Sequence, residues 1–544
     1  MIRVRHILIA VFVLSVALAD GFAKDIVVTP SSGSIQAAID LADPGDVIKI
    51  AGGTYYESLV IKKSGISIMA NGEKQVKITS AYPEYFKQKI QWKKEYQKTH
   101  QSSGREYTVY SAPYPAYRKQ PKGLTYGYIA DEDDGLYFTY RDKISFDYQY
   151  AQSDDIKGAY FDSDKVYIAT EGNPNNERLY VSDRRILEIY NVGDITIDGG
   201  KSKNITLMHG GRYGIIVNKL QGTKSIIQNL KIINSHSGIL VNGVASGELV
   251  IRQNILNQYL EEMPWEFQKT GLTQRMDMRR QDISKVMKSK KTSAAYMETS
   301  AIFASKNEAG KISILHNEVY GYFNGIVSTT HDVEIAYNTL SELRDDAIEI
   351  EGNTAQNIIH HNQVSCSFVG ISLVPIRKGP VYIYQNELIM NNPPQIIRRE
   401  MKSKKLSYRN GKTLKFTNLG PRDVSSDVHI YNNRFFALDD VLNIGSTDKP
   451  QYNPRASTFY NNVFISKGII SSSYGSAKDG LDYQGNHFKS LMADKRSMQI
   501  PEHKSWKNTL SEGLNFKTGI QINTYKKIIP AHWPGAKEIN QMSE

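Results

Sequence analysis

Four carboxylates crowd one short stretch of the chain, Arg344-Asp345-Asp346-Ala347-Ile348-Glu349-Ile350-Glu351-Gly352. Read as a strand, it sends Ile348 and Ile350 into a core and Ala347, Glu349 and Glu351 to the opposite face, because successive strand side chains alternate. The two glutamates then stand roughly 6.5–7 Å apart. Asp345 and Asp346 arrive from the preceding turn. Like charges this close are tolerated with a cation, with a shared proton or with full solvation, and the first two carry chemistry. The pattern predicts a site centred on Glu349, with Glu351 and Asp346 joining it around a cation or a shared proton, and with Arg344 and Asp345 placed to touch a ligand.

A repeat must position these residues. Asn254, Asn317, Asn338, Asn362, Asn386, Asn433, Asn462 and Asn486 each sit in a phrase like Val381-Tyr382-Ile383-Tyr384-Gln385-Asn386-Glu387-Leu388, at spacings of 63, 21, 24, 24, 47, 29 and 24. A unit of about 24 residues, interrupted by two insertions, marks a solenoid of short strands. Asparagines stacked about 4.8 Å apart in its turns can hydrogen-bond from coil to coil, since each amide offers donors and an acceptor. All eight are expected to be structural. Aligning the rungs stacks Gly325-Ile326-Val327-Ser328, Ala347-Ile348-Glu349-Ile350, Gly370-Ile371-Ser372-Leu373 and Val441-Leu442-Asn443-Ile444 in one sheet. Glu349 then has Val327 below and Ser372 above, and Glu351 has Thr329 below and Val374 above. His331 follows the lower strand, while Arg377 and Lys378 follow the upper one, so these three are the candidates for moving a proton. Asp439-Asp440 repeat Asp345-Asp346, with Asn443 in place of Glu349, which makes Asp440 and Asn443 candidate substrate contacts.

The rest of the chain sets the context. Met1 to Ala23 reads as a secretory signal, with Arg3 and Arg5, an apolar run from Ile7 to Ala19, and Gly21-Phe22-Ala23 at its end. That run is too short to span a membrane comfortably, and no integral segment is expected once it is removed. A bacterial periplasmic or secreted location fits Cys366, the single cysteine, which leaves packing alone to hold the fold. Residues 24–81 read as a cap and first coils: a helix behind Ser34, then Val47-Ile48-Lys49-Ile50, Leu59-Val60-Ile61 and Ile66-Ser67-Ile68-Met69 as strands. Residues 82–190 form a β-rich insertion holding 17 of the 34 tyrosines, which serve there mostly as cross-strand partners. The repeat occupies 191–491, and 492–544 is expected to cap the last coil. Net charge is +11, of which 262–291 contributes +4 and 398–415 contributes +7. The first of these is read as helical around Gln274 to Met287, a lid or a surface helix, and the second as a mobile basic loop. Charge so confined suits an anionic polymer, and export with an acidic cluster argues against nucleic acid.

The opening helix and first coils resemble those of right-handed parallel β-helix proteins of the pectate-lyase-like superfamily, closest in pattern to the chondroitinase B and alginate lyase family. That resemblance implies an all-β fold, a right-handed parallel β-helix solenoid acting as a monomer on an anionic, uronate-containing polysaccharide. Glu349 and Glu351 resemble the Glu-x-Glu calcium ligands of that family, which implies Ca²⁺ held with Asp346. Arg377 lies about one rung beyond, as the family's arginine does. Where the family has its lysine base, this chain has Gln356, so Arg377, Lys378 or His331 would serve. The implied reaction is β-elimination by a polysaccharide lyase. Hydrolysis by paired carboxylates, uronate C5-epimerisation and non-catalytic polysaccharide binding are the alternatives, since fold alone does not choose.

Overall fold

The computed structural model describes residues 23–100, 104–115, 127–132, 137–140, 143, 146–147, 157–258, 299–343, 345–390, 411–416, 427–437, 441–444, 456–466, 471–473, 481–490 and 530–541. Residues 1–22, 262–291 and 398–410 lie outside them, and with them the expected signal, the helix at Gln274 to Met287 and most of the second basic segment. Among the described residues no helix is long and apolar enough to cross a membrane.

Helix α1, Ile35–Leu41, closes the start of the coil. Ser34 caps it by accepting from the Ala37 amide at 3.3 Å. Glu57 takes the amides of Ile35 and Gln36 at 2.9 and 3.0 Å, so a carboxylate meets the unpaired donors of the helix start. Ile35, Ala38 and Ile39 are buried against the first coil. Two long strands, Val47–Tyr56 and Ser67–Thr79, then pair in parallel and bend across a corner.

From Leu187–Tyr190 onward each coil lays one strand on each of three faces. Asp346–Gly352, Asn357–His360 and Gln363–Ser365 pair in parallel with Val369–Ile376, Val381–Tyr384 and Glu387–Met390 of the next coil. Parallel crossovers of this kind are right-handed, and the chain is a right-handed parallel β-helix. The inward Ile, Val and Leu side chains of all three faces merge into one core that runs from Val28 to Phe464.

The asparagine ladder forms as the sequence predicts. Each Nδ2 donates to the Oδ1 of the next asparagine, from Asn254 to Asn317 and on through Asn338, Asn362, Asn386, Asn433, Asn462 and Asn486, at 2.9–3.0 Å. Each ladder residue follows one with positive φ, such as His361 (φ 54) before Asn362 and Gly485 (φ 64) before Asn486. That left-handed residue makes the tight turn, and the buried amide then takes up the turn's polar groups.

Three details differ from the sequence reading. Ala347 is fully buried in the core rather than outward. Its column is made of small residues because the chain comes close there: a Cβ on Gly325 would lie 2.3 Å from the Ala347 carbonyl oxygen. A coil was also missed. Lys412–Phe416 is a strand between Val369–Ile376 and Leu442–Ile444, so the end of the expected basic loop is a rung of the sheet, and the Asn443 rung is two coils beyond Ser372 rather than one. The tyrosine-rich insertion is a five-stranded sheet with a two-stranded companion, and it ends before Leu187, where the chain re-enters the coil by pairing with Leu59–Ile61. At the far end, Trp533 and helix α2, Ala536–Gln541, pack on Tyr384, Tyr431 and Tyr460. This described part of the tail covers the flank of three coils.

Candidate active site

The site lies on one face of the coil, on strands β1 (Asn324–Ser328), β2 (Asp346–Gly352), β3 (Val369–Ile376), β4 (Lys412–Phe416) and β5 (Leu442–Ile444). In-register pairing stacks Val327, Glu349, Ser372, Lys415 and Asn443 into one outward column. Glu349 has the neighbours predicted for it. Glu351 does not: β2 and β3 slip register between Ile350 and Gly352, where Gly352 pairs with Ile376, so a bulge takes Val374 out of line with it.

The corner at Ala347 explains why Asp346 joins this column. Strict alternation would turn Asp346 away from Glu349, but with Ala347 and Ile348 both in the core the alternation is broken. Asp346 is buried. Asn324 on β1 ties the two acids together: its Nδ2 donates to Glu349 Oε2 at 2.9 Å and its Oδ1 accepts from the Asp346 amide at 3.3 Å. From two coils above, Lys415 brings its Nζ to 3.9 Å from Asp346 Oδ2.

These surroundings set the charge of Glu349. Burial first, then the charges of Asp346 and Glu351, push its carboxyl to about 9, against the pull of Lys415. This favours the protonated form of Glu349 at neutral pH. Its Oε2 is taken by Asn324, and its Oε1 has no hydrogen-bond partner among the described residues, which leaves Oε1 to carry a transferable proton. Lys415 sets a positive charge near Asp346, and two carboxyls side by side in unlike surroundings can divide the roles of acid and base.

The other predicted residues divide clearly. Asp345 is buried and acts on Glu349 by charge. Arg377 lies beside Gly352, with its Nη1 3.9 Å from where a glycine Cβ would stand; Lys378 next to it is exposed. His331 is held by its neighbour Asp332, with Nδ1 and Oδ2 2.6 Å apart, and makes no hydrogen bond to the acids among the described residues. Asn443 lies in the column one coil beyond Lys415, buried. Arg344 and Asp440 lie outside the described residues. For Ca²⁺, no group of three or more His, Cys, Asp or Glu side chains among the described residues is placed to hold a metal ion.

Asn324 and Lys415 are absent from the sequence reading. The signal for Lys415 was present: Gly411-Lys412-Thr413-Leu414-Lys415-Phe416 has the small residue and alternating apolar positions of the other rungs, hidden in a run of basic residues.

No family model matches the sequence, and no curated protein matches it. Among solved structures the chain is similar to XylC in complex with xylose, at 12% identity over 85% of this chain and 83% of that one, with a TM-score of 0.43. It is also similar to a family 28 exopolygalacturonase of Yersinia enterocolitica, at 12% identity over 87% and 78% with a TM-score of 0.37. A third is pectate lyase Pel9A, at 10% identity over 86% and 80% with a TM-score of 0.36.

Proposed function

We propose that this protein is an exported enzyme that cleaves glycosidic bonds of an acidic, uronate-containing polysaccharide, with Glu349 as the proton donor to the leaving oxygen. The observation that supports it most is a carboxyl held protonated at neutral pH, with a free Oε1, beside a carboxylate paired with lysine. In the hydrolytic form, Glu349 gives its proton to the glycosidic oxygen as the C1–O bond breaks. Asp346 takes a proton from the water that attacks C1, and solvent later returns the proton to Glu349. The parallel face offers an extended polymer a straight floor. The residues supply the rest: Asn324 fixes the acid's orientation, and Lys415 sets a positive charge near the base.

β-Elimination is the second reading, favoured by Lys415. An ammonium on a uronate carboxylate would acidify the C5 proton, which Asp346 would take as the C4–O bond breaks and Glu349 again protonates the leaving oxygen. The deciding experiment incubates the protein with pectate, alginate and glucuronan and follows new reducing ends together with ultraviolet absorbance. Hydrolysis gives reducing ends without absorbance; elimination gives both, through the C4–C5 double bond. If EDTA abolishes either signal and Ca²⁺ restores it, the calcium reading returns. No cleavage of any polymer overturns the proposal in favour of an epimerase or a binding solenoid.

A further inference from the structure

The face that carries Glu349 continues below it, and the corner that ends this face bears cations at a regular interval. Parallel pairing of Tyr213–Leu220, Ser237–Val244, Ser300–Ser305, β1 and β2 sets Lys219, Gly243, Lys306, Thr330 and Gly352 one above another. Four of the five share the left-handed backbone of the corner: Lys219 (φ 48), Gly243 (φ 99), Lys306 (φ 53) and Gly352 (φ 78). A Cβ on Gly243 would stand 3.0 Å from the Lys306 carbonyl oxygen and 4.0 Å from the Lys219 Cα, so the middle coil has little room for a side chain. At Gly352 the charge comes from the coil above, since Arg377 brings Nη1 to 3.9 Å from where a Gly352 Cβ would lie. Positive charge thus recurs at every second coil, about 9.6 Å apart for a rise of about 4.8 Å per coil. Lys219 and Lys306 are exposed, and neither pairs with a carboxylate among the described residues. Beside them the floor is neutral. Leu240 and Phe303, in the outward column that leads up to Glu349, are partly exposed.

From this row we infer that Lys306 and Lys219 bind uronate carboxylates two and four sugar units away from the unit at Glu349, on the N-terminal side of the face. The inference rests on the proposed function and deepens it by setting the direction and the length of chain that is held. In an extended polymer whose neighbouring units face opposite ways, the carboxylates on one edge recur at twice the length of a sugar, which is the interval of the row. A pyranose ring can rest its apolar face on Phe303 or Leu240 while its carboxylate reaches the corner. Units in between turn their carboxylates to the other edge, so a polymer that is acidic only at every second sugar satisfies the row as well as a homopolymer does.

The test uses oligosaccharides of glucuronate and of mannuronate, four and eight units long, with Lys306→Met, Lys219→Met and the double variant. Both side chains are exposed, so melting temperatures should match wild type. Cleavage anchors the oligosaccharide at Glu349: Lys306→Met should lower kcat/KM on both lengths about 3- to 5-fold, the scale of an exposed ion pair, whereas Lys219→Met should do so on the octamer and leave the tetramer unchanged. Binding is measured separately in the Glu349→Gln protein, where the double substitution should weaken octamer affinity about 10-fold and leave affinity for the carboxyl-reduced octamer unaltered; Lys→Arg at either position should keep most of the affinity. Unchanged octamer binding in the double variant, or equal losses on the acidic and the reduced octamers, overturns the row. If wild type cleaves nothing yet the double variant loses octamer binding about 10-fold, the catalytic proposal fails and the row stands. Absence of binding to either uronate octamer overturns the row itself.

Discussion

Glu349 is a residue whose chemistry is opposed by its own stability. Its carboxyl titrates well above the ordinary carboxylate range in the folded protein and near 4.5 when exposed. Between those two values the folded state holds a proton that the unfolded state has lost, so stability falls as pH rises through that window. Glu349→Gln removes the penalty and keeps the shape, since an amide oxygen can still accept from Asn324. The variant should therefore melt a few degrees above wild type at pH 7–8, with the difference vanishing near pH 4, as followed by circular dichroism. The same variant should lose at least about 100-fold in kcat, the usual scale for a general acid. Wild-type activity should decline as pH climbs toward 9, where the acid loses its proton. Equal melting temperatures at neutral pH would show that the carboxyl is solvated and the site is a charged rung of the scaffold.

At the scale of the element, legibility followed repetition. The eight asparagines were readable because each recurs with the same flanking apolar pattern and each must satisfy the same turn. The rung of Lys412–Phe416 was not, because local charge outweighed its alternation and its coil carries no shortened spacing to announce it. Ala347 was misread for a different reason: alternation assumes an unbroken pleat, and the close approach of neighbouring coils at Gly325 and Ala347 is a property of packing that no single strand records. The crowding of acids groups Asp346 with Glu349 in the sequence; the corner is the geometric reason for it, which a strand-by-strand reading lacks. The ladder gives a sharp prediction. Asn362 accepts from the Asn338 amide and side chain at 3.0 Å and donates to Ile335 O, His360 O and Asn386 Oδ1 at 2.8–3.0 Å. Asn362→Ala strands several of these buried groups and should cost about 3 kcal/mol or more, measured by urea denaturation. A cost below about 1 kcal/mol would mean that water replaces the amide.

For the whole molecule, net charge of +11 concentrated in 262–291 and 398–415 predicts a salt-sensitive encounter with an anionic polymer. KM for pectate should rise several-fold between 0.02 and 0.5 M NaCl (roughly 20 to 4 Å of Debye length), with kcat nearly constant; a KM independent of salt would dissociate those segments from the substrate. The ladder bears on how such segments came to be there. Asn254 bonds to Asn317 across 63 residues of chain, Asn317 to Asn338 across 21 and Asn386 to Asn433 across 47, all with the same geometry. The bond registers the height of a coil and is blind to the contour of the chain that joins one coil to the next. A solenoid stitched in this way tolerates splicing: a loop can be lengthened, exchanged or grafted on the rim without the neighbouring rungs losing step, so recognition of a new polymer can be acquired by insertion while the spine is inherited intact.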